Sequence, residues 1–129
     1  MEIILNSKFF GTLSIEELGI KTGELGFDGL DINIRPNHPV NPGNAITMLP
    51  RAVKQWAEIG ISCPLATAPI DMVDPHSPDA IQLFEACAAA GVSRLKLGFW
   101  KFSPGDNYWQ SVDRARASLE DFAKLSKNT

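Results

Sequence analysis

Six side chains stand where they could bind a small anionic or polyhydroxyl ligand. The guanidinium of Arg35 offers a planar fork of hydrogen-bond donors that suits such a ligand. His38 could hold a ligand or exchange a proton near neutral pH, or it could simply be exposed in a loop. Trp100 could stack on the flat face of a ring or pack at the rim of a site. The candidate binding residues are Asn6, Asp31, Arg35, His38, Lys96 and Trp100.

Two of these candidates interrupt apolar segments that are predicted to be strands. Strands of a parallel sheet that is covered on both faces are nearly all apolar, yet segments 28–35 and 93–99 alternate polar with apolar residues. The alternation places Asp31 and Lys96 on the face opposite the aliphatic side chains. An unpaired buried charge is costly, so this face must line a wet lumen or a paired network.

Asp31 and Lys96 each follow a glycine by five residues, on alternate strands. In a β/α barrel, side chains from alternate strands share a layer, so we expect the two to approach one another inside the lumen. They could form an ion pair that only stabilises the fold, or they could belong to a binding site.

Further polar residues follow the predicted strands, at the edge of a parallel sheet where ligands bind. They are Lys8, Asn37, Asp71, Asp74, His76, Lys101 and Asp106. Segment 74–78, DPHSP, could suggest a metal site, but aspartate and serine there are typical of a turn and a helix cap. The chain has no dinucleotide-binding, Walker A, zinc-protease or serine-hydrolase motif.

Three glycines divide the chain into repeating units. Gly26, Gly60 and Gly91 each follow a helix-like stretch and precede an apolar one, as glycines that end helices in the left-handed conformation do. Their spacings of 34 and 31 residues match one strand–helix unit. Strands are predicted at 2–7, 28–35, 62–68 and 93–99.

Four amphipathic helices alternate with these strands, which predicts a parallel sheet in a single domain over residues 1–129. A capping box at 14–17 starts the first helix, and Ser77 with Pro78 starts the third. The predicted buried stripes of the last three helices are Ile46, Leu49, Val53, Trp56 and Ala57; Ile81, Phe84 and Ala88; and Val112, Ala115, Leu119, Phe122 and Leu125.

Composition limits the class of protein. At 129 residues, 44% hydrophobic and 21% charged, the chain resembles a soluble globular domain, too short for a complete eight-stranded β/α barrel of about 250 residues. A net charge of −3 without a basic stripe argues against nucleic-acid binding. We expect no membrane span and no signal peptide, and therefore a cytoplasmic location. We also expect Cys63 and Cys87 to be buried free thiols.

Segment 26–36, GFDGLDINIRP, resembles the second-strand signature of the sugar phosphate isomerase/epimerase family, which are xylose isomerase-like TIM barrels. Segments 14–17, 61–67 and 94–98 support the likeness. The likeness extends over the whole chain but covers only strands one to four of the barrel. The fold that it implies is α/β, the parallel (β/α)4 half of a TIM (β/α)8 barrel.

The resemblance implies a divalent-metal enzyme, using Mn²⁺, Mg²⁺, Co²⁺ or Zn²⁺, that moves a proton next to the carbonyl of a sugar or sugar phosphate. In that family the metal ligands come mainly from strands five to eight, so no metal ligand is assigned to this chain. The six candidates named first, Asn6 and Trp100 among them, would lie on the substrate side of the site.

Three alternatives stay open. The chain could be a non-catalytic half-barrel that binds a polyol or a partner and closes a barrel by forming a homodimer. It could instead be a piece of a longer enzyme whose carboxyl-terminal half is missing. An endonuclease-IV-like phosphoesterase fragment is the third, and the lack of a basic face weighs against it.

Overall fold

The computed structural model describes residues 1–129 and confirms the alternating order of strands and helices. The strands are β1 (Ile4–Asn6), β2 (Gly29–Asn33), β3 (Ser62–Thr67) and β4 (Arg94–Lys96). The helices are α1 (Ile15–Glu24), α2 (Ala45–Glu58), α3 (Pro78–Ala90) and α4 (Tyr108–Asn128), with a 3-10 turn at Ser7–Phe10. All four strands pair in one parallel sheet, in the order β1-β2-β3-β4.

The last strand is much shorter than the predicted segment 93–99. Beyond Lys96 the chain leaves the sheet and bonds to the loop after β3: the Gly98 N–H donates to Met72 O at 3.2 Å. The Phe99 N–H likewise donates to Ile70 O at 3.1 Å. Residues 97–99 are therefore held to a loop, although their apolar pattern is that of a strand.

The helices form one layer on a single face of the sheet. Each helix contacts the next one along the chain, from α1 to α4, in step with the order of the strands. The aliphatic side chains that face this layer include Leu30, Ile32 and Ala66, all fully buried. Trp56 of α2 is fully buried as well, and its Nε1–H donates to Ile15 O at 2.8 Å, which ties α2 to the start of α1.

The predicted buried stripes of α2 and α3 are partly wrong. Ile46, Ala57, Ile81 and Ala88 are exposed. The two helices instead bury Ala45, Leu49, Ala52 and Trp56, and Ala80, Leu83, Ala86 and Cys87. Alanines at a helix contact let the two backbones approach, and Ile46 and Ile81 are left at the margin of the contact.

The predicted stripe of α4 is only partly buried. Phe122 is 3% exposed and stacks on Phe84 of α3, with 5.8 Å between ring centroids. Leu119, which the pattern places on the buried face, is 47% exposed. Phe122 is therefore the one buried side chain of α4, and Leu125 packs against the core as a partly buried residue.

The predicted helix ends are confirmed. Gly26, Gly60 and Gly91 have φ values of 79°, 78° and 72°. After each of them, the next N–H bonds to the carbonyl five residues earlier, as Ile61 does to Trp56 O at 3.0 Å. This is the Schellman arrangement, which satisfies the last carbonyls of a helix. Each of the first three helices therefore stops at a fixed residue and sends the chain back toward the sheet.

The predicted helix starts are confirmed too. Ser14 accepts from Glu17 N at 3.2 Å, and the Glu17 carboxylate accepts from Ser14 N at 2.8 Å, which lowers the pKa of Glu17. Ser77 caps α3 by accepting from Ala80 N at 3.3 Å. Cys63 and Cys87 are free and buried, as expected. None of the helices combines the length and the apolar character that a membrane crossing needs.

Candidate functional site

The sheet face opposite the helices is lined by polar side chains near the carboxyl ends of the strands. We call it the inner face, and it carries residues from all four strands. Strand register places Asn6 beside Asp31, and it places Asn33 beside Thr67 and Lys96 in a single row. The alternation in the second and fourth strands therefore separates polar from apolar side chains as predicted.

A hydrogen-bonded network joins three of these strands around the Asp31 carboxylate. Asn6 Nδ2 donates to Asp31 Oδ2 at 2.5 Å, and Thr67 Oγ1 donates to Asp31 Oδ1 at 2.7 Å. Asn33 Nδ2 donates in turn to Asn6 Oδ1 at 2.9 Å. We call Asn6, Asp31, Asn33 and Thr67 the inner network. It fixes the orientation of every amide and carboxylate in the set.

The 3-10 turn after β1 holds one end of this network. Asn6 Oδ1 also accepts from the Lys8 N–H at 3.0 Å, and Ser7 Oγ accepts from the Asn33 N–H at 2.8 Å. Ser7 is 1% exposed, so the turn packs directly on β2. The first candidate residue, Asn6, is therefore positioned from both its strand and its loop.

Asp31 is a nearly buried carboxylate that is satisfied by neutral donors. It is 7% exposed, while Asn33 and Thr67 are 1% and 5% exposed. Its two partners are an amide and a hydroxyl, and each oxygen retains acceptor capacity beyond the one bond that it receives. A carboxylate held in this way can accept further hydrogen bonds from hydroxyl groups placed against the inner face.

Asp31 and Lys96 lie on the same face, but they form no ion pair. Lys96 is exposed and shares its row with Thr67, whereas Asp31 is level with Leu65 and Arg94. Asp31 pairs with Leu65, which also follows its own glycine by five residues, but Leu65 pairs with Arg94, only three residues after Gly91. Equal distances from a preceding glycine therefore do not mean equal heights across β3 and β4. The predicted pairing of Asp31 with Lys96 is replaced by bonds to Asn6 and Thr67.

Arg35 and His38 lie together in the loop after β2. The His38 ring packs on Gly11, where a Cβ would come within 2.6 Å of Nε2, and its Nδ1 is buried without a partner. Burial, with a smaller contribution from the charge of Arg35, lowers the pKa of His38. The neutral imidazole is therefore favoured, and both residues remain half-buried.

Trp100 lies in a separate cleft of about 410 Å³ at the end of β4. The cleft is also lined by Lys101, Asp106 and Arg114. Gly98 makes this position possible, because a Cβ there would lie 2.6 Å from Ile70 O in the neighbouring loop. The close approach of the two loops fixes the chain just before Trp100.

No part of the chain fits a metal ion by the chemistry of its donors. No group of three or more His, Cys, Asp and Glu side chains converges anywhere in the structure. In the 74–78 segment, Asp74 Oδ1 accepts from the His76 N–H at 2.9 Å, and Ser77 Oγ donates to Asp74 O. His76 faces Asp121 of α4 at 3.4 Å. These contacts are those of a turn and a helix start.

No protein-family model matches the chain, and no curated protein matches it either. The likeness to sugar phosphate isomerases and epimerases therefore rests on the sequence segments quoted above.

The sequence-based prediction omits three residues that hydrogen-bond within the inner network or directly to it. Asn33, Ser7 and Thr67 are all absent from the six predicted binding residues, although strand alternation puts Asn33 on the same face as Asp31. Ser7 and Thr67 are polar residues at or just after a strand end, a signal the pattern did contain. Their partners depend on strand register, which the pattern does not give.

Proposed function

We propose that the chain is the amino-terminal (β/α)4 half of a TIM barrel of the xylose isomerase-like type. Its inner face would bind a small sugar or sugar phosphate in an isomerase or epimerase. The observation that carries the proposal is the buried Asp31 carboxylate, held by amide and hydroxyl donors on the sheet face opposite the four α-helices.

The one-sided layer of helices supports the barrel. A parallel sheet is stable when both of its faces are covered, by helices on each side or by closure on itself. Here the helices occupy one face only, and the other carries polar side chains from every strand. A closed barrel gives such a face a lumen, and it places the carboxyl ends of the strands at the binding site.

The polar groups suit a polyol. Sugar hydroxyls both donate and accept, so they need carboxylate and amide partners held in fixed directions. Asp31 supplies acceptors and the Asn6 amide is fixed by its own bonds. Lys96 adds an exposed cation on the same face, while Arg35 and Trp100 follow β2 and β4. The chain would thus contribute binding and orientation on the substrate side.

The divalent metal of such an enzyme would need its ligands from the other half of the barrel. No ligand set on this chain fits one. When bound, a divalent metal polarises the carbonyl oxygen of a sugar. The residues of this chain would hold the hydroxyl groups around that carbonyl and shield them from water.

Sugar binding by the full chain tests the proposal. We would titrate D-xylose, D-fructose and D-fructose 6-phosphate while recording amide resonances, including the side-chain amides of Asn6 and Asn33. We expect saturable shifts confined to the inner face, and loss of at least tenfold in affinity in Asp31→Ala. Asp113→Ala on the exposed surface of α4 is the matched control and should bind normally.

Two results would contradict the proposal. One is the absence of saturable shifts with every sugar in the well-folded protein. The other is binding that Asp31→Ala and Asn6→Ala leave unchanged. Asn6 is exposed, so its variant keeps the test usable where Asp31→Ala fails to fold.

A non-catalytic half-barrel is the second candidate, and one observation favours it. Both oxygens of Asp31 are already engaged by donors of this chain, which is what a purely structural network would show. If such a half-barrel serves assembly alone, Asp31→Ala would lower stability while no sugar binds to the parent protein.

A further inference from the structure

We propose that the inner face is closed by a second copy of this chain, with β4 of each copy pairing with β1 of the other. Two copies would then form one eight-stranded barrel with a shared lumen. This inference rests on the proposed half-barrel, and it names the partner that completes it.

Both free edges of the sheet offer backbone groups for this pairing of β4 with β1 of the second copy, which we call the joint. Lys96 O accepts from the Ala68 N–H at 2.8 Å, so the backbone N–H and C=O of Lys96 face β3. The backbone N–H and C=O of Leu95 therefore face the open edge. Likewise Ile3 O accepts from the Asp28 N–H, so Ile4 and Asn6 face the open edge of β1. Exposed edges are liabilities unless another strand pairs with them.

The topology allows the two edges to pair with each other. All strands run parallel, so β4 of one copy can continue the parallel sheet into β1 of another. A two-fold axis repeats the joint at the opposite side, and the sheet then has no edge left. Four neighbouring parallel strands are half of the eight that close a TIM barrel.

Charge is complementary across the joint. Arg94 and Lys96 are exposed cations on β4, and neither forms an ion pair within its own chain. Glu2 is an exposed carboxylate immediately before β1, where it accepts a bond from Ser62 Oγ. Parallel pairing with Lys96 beside Asn6 would place Arg94 of one copy beside Ile4 of the other, within diagonal reach of Glu2 two residues earlier.

The outer surface of the joint is apolar on both sides. Closing the barrel brings α4 of one copy against α1 of the other. On α4, Trp109 is 72% exposed and Leu119 is 47% exposed. On α1, Ile20 is 47% exposed, and Leu25 follows at its end with 50%. These side chains would be covered by the second copy, which gives the joint an apolar layer outside the strands.

The joint would also complete the site. Lys96 is the last residue of β4 and Asn6 is the last residue of β1, so the pairing would place them side by side, each from a different copy. Two inner networks would then face one lumen.

The oligomeric state of the full chain tests this inference. Sedimentation velocity across a range of concentrations should give a species of twice the 14.1 kDa mass of one chain. Arg94→Glu and Glu2→Lys should each weaken the dimer at least tenfold, and the double variant should restore it to within threefold. Lys54→Glu, on the exposed surface of α2, is the control for a charge reversal alone and should leave the dimer unchanged.

A folded monomer at millimolar concentration would overturn the inference. So would a dimer that neither edge variant weakens, because it would use another surface. The sugar titration is read separately: a monomer that binds sugar through Asp31 would leave the proposed function standing, whereas a dimer that binds no sugar would refute that function alone.

Discussion

The first three strand–helix units and the fourth differ in how completely they are packed. Of 29 buried residues, only Phe122 lies beyond Val92. Four of the five exposed aromatic side chains belong to the fourth unit: Phe99, Phe102, Tyr108 and Trp109. The same helix and strand patterns therefore lead to a closed core in one region and to uncovered apolar surface in the other.

The difference lies in neighbours more than in local sequence. β2 and β3 each pair on both edges, and α2 and α3 are each packed between two other helices. β4 pairs on one edge, and α4, with 21 residues, packs mainly on α3 among the helices. β1 and α1 stand at the other margin, where Phe9 is 85% exposed. Both margins of the sheet therefore leave apolar side chains exposed.

Removing Trp56 should have the largest effect on the packed region. Trp56→Ala empties a fully buried site and removes the bond to Ile15 O, so we expect a loss of about 3–5 kcal/mol in the free energy of unfolding. Urea denaturation followed by circular dichroism measures it. Trp109→Ala is the matched change in the fourth unit and should stay within about 0.5 kcal/mol in the monomer. Equal losses would contradict the comparison.

Substitutions on the inner face should show the same difference between the packed region and the fourth unit, with a smaller loss of stability. Asp31→Ala leaves Asn6 and Thr67 without their acceptor, and we expect a loss of about 1–3 kcal/mol. Lys96→Ala, on the same face of the fourth unit, removes an exposed side chain and should be nearly neutral. Denaturation of the two variants side by side is the measurement, and a neutral Asp31→Ala would show that the network contributes nothing to stability.

Alkaline pH should weaken the packed region through its thiols. Desolvation is the main cause that raises the pKa of Cys63 to about 12 and of Cys87 to about 11. An unfolded thiol titrates near 8.5, so the unfolded chain loses its protons first. The stabilisation is complete below that value and is lost as the pH rises toward the folded pKa values. We expect a fall of up to about 1.4 kcal/mol per pH unit for each thiol above about pH 9.

The variant with both cysteines changed to alanine provides the control for this titration. Its overall stability is lower, but its free energy of unfolding should fall less steeply with pH over the same range. Identical slopes in the two proteins would show that the thiols do not carry the effect.

Substitution of two glycines should give the smallest difference in stability between the packed region and the fourth unit. Gly60 ends α2 with φ of 78°, and Gly105 lies in the exposed loop before α4 with φ of 90°. Gly60→Ala should cost about 1 kcal/mol, because the Schellman end and the following strand hold that backbone in place. Gly105→Ala should cost less, since residues 101–110 are all exposed and can readjust. Thermal unfolding of both variants measures the difference, and a larger loss at Gly105 would reverse the expected order.

Local signals in the sequence predicted the elements well, but not how they pack. The capping box at Ser14 and the glycine at 91 depend on neighbouring residues only, so the pattern sufficed for them. The buried stripe of α2 depends on how closely α3 approaches, which the pattern of α2 does not contain. That is why Ile46 lies outside the core and Ala45 lies inside it.

The site shows the same limit. Alternation was enough to place Asp31 and Lys96 on the polar face. The partners of Asp31 depend on strand register. β2 and β3 pair Asp31 with Leu65, and β3 and β4 pair Leu65 with Arg94, which puts Arg94 in the row where the glycine spacing predicted Lys96. The Thr67 bond, which spans 36 residues of chain, follows from that register as well.

Hydrogen exchange at the Leu95 N–H tests the central claim most directly, because that group faces the open edge of β4. The claim is that the fourth unit is an edge which a second copy completes. Protection of the Leu95 amide should then rise with protein concentration and fall in Arg94→Glu, while the Ile32 amide inside the sheet stays protected throughout. Fast exchange at Leu95 that is independent of concentration would contradict the account.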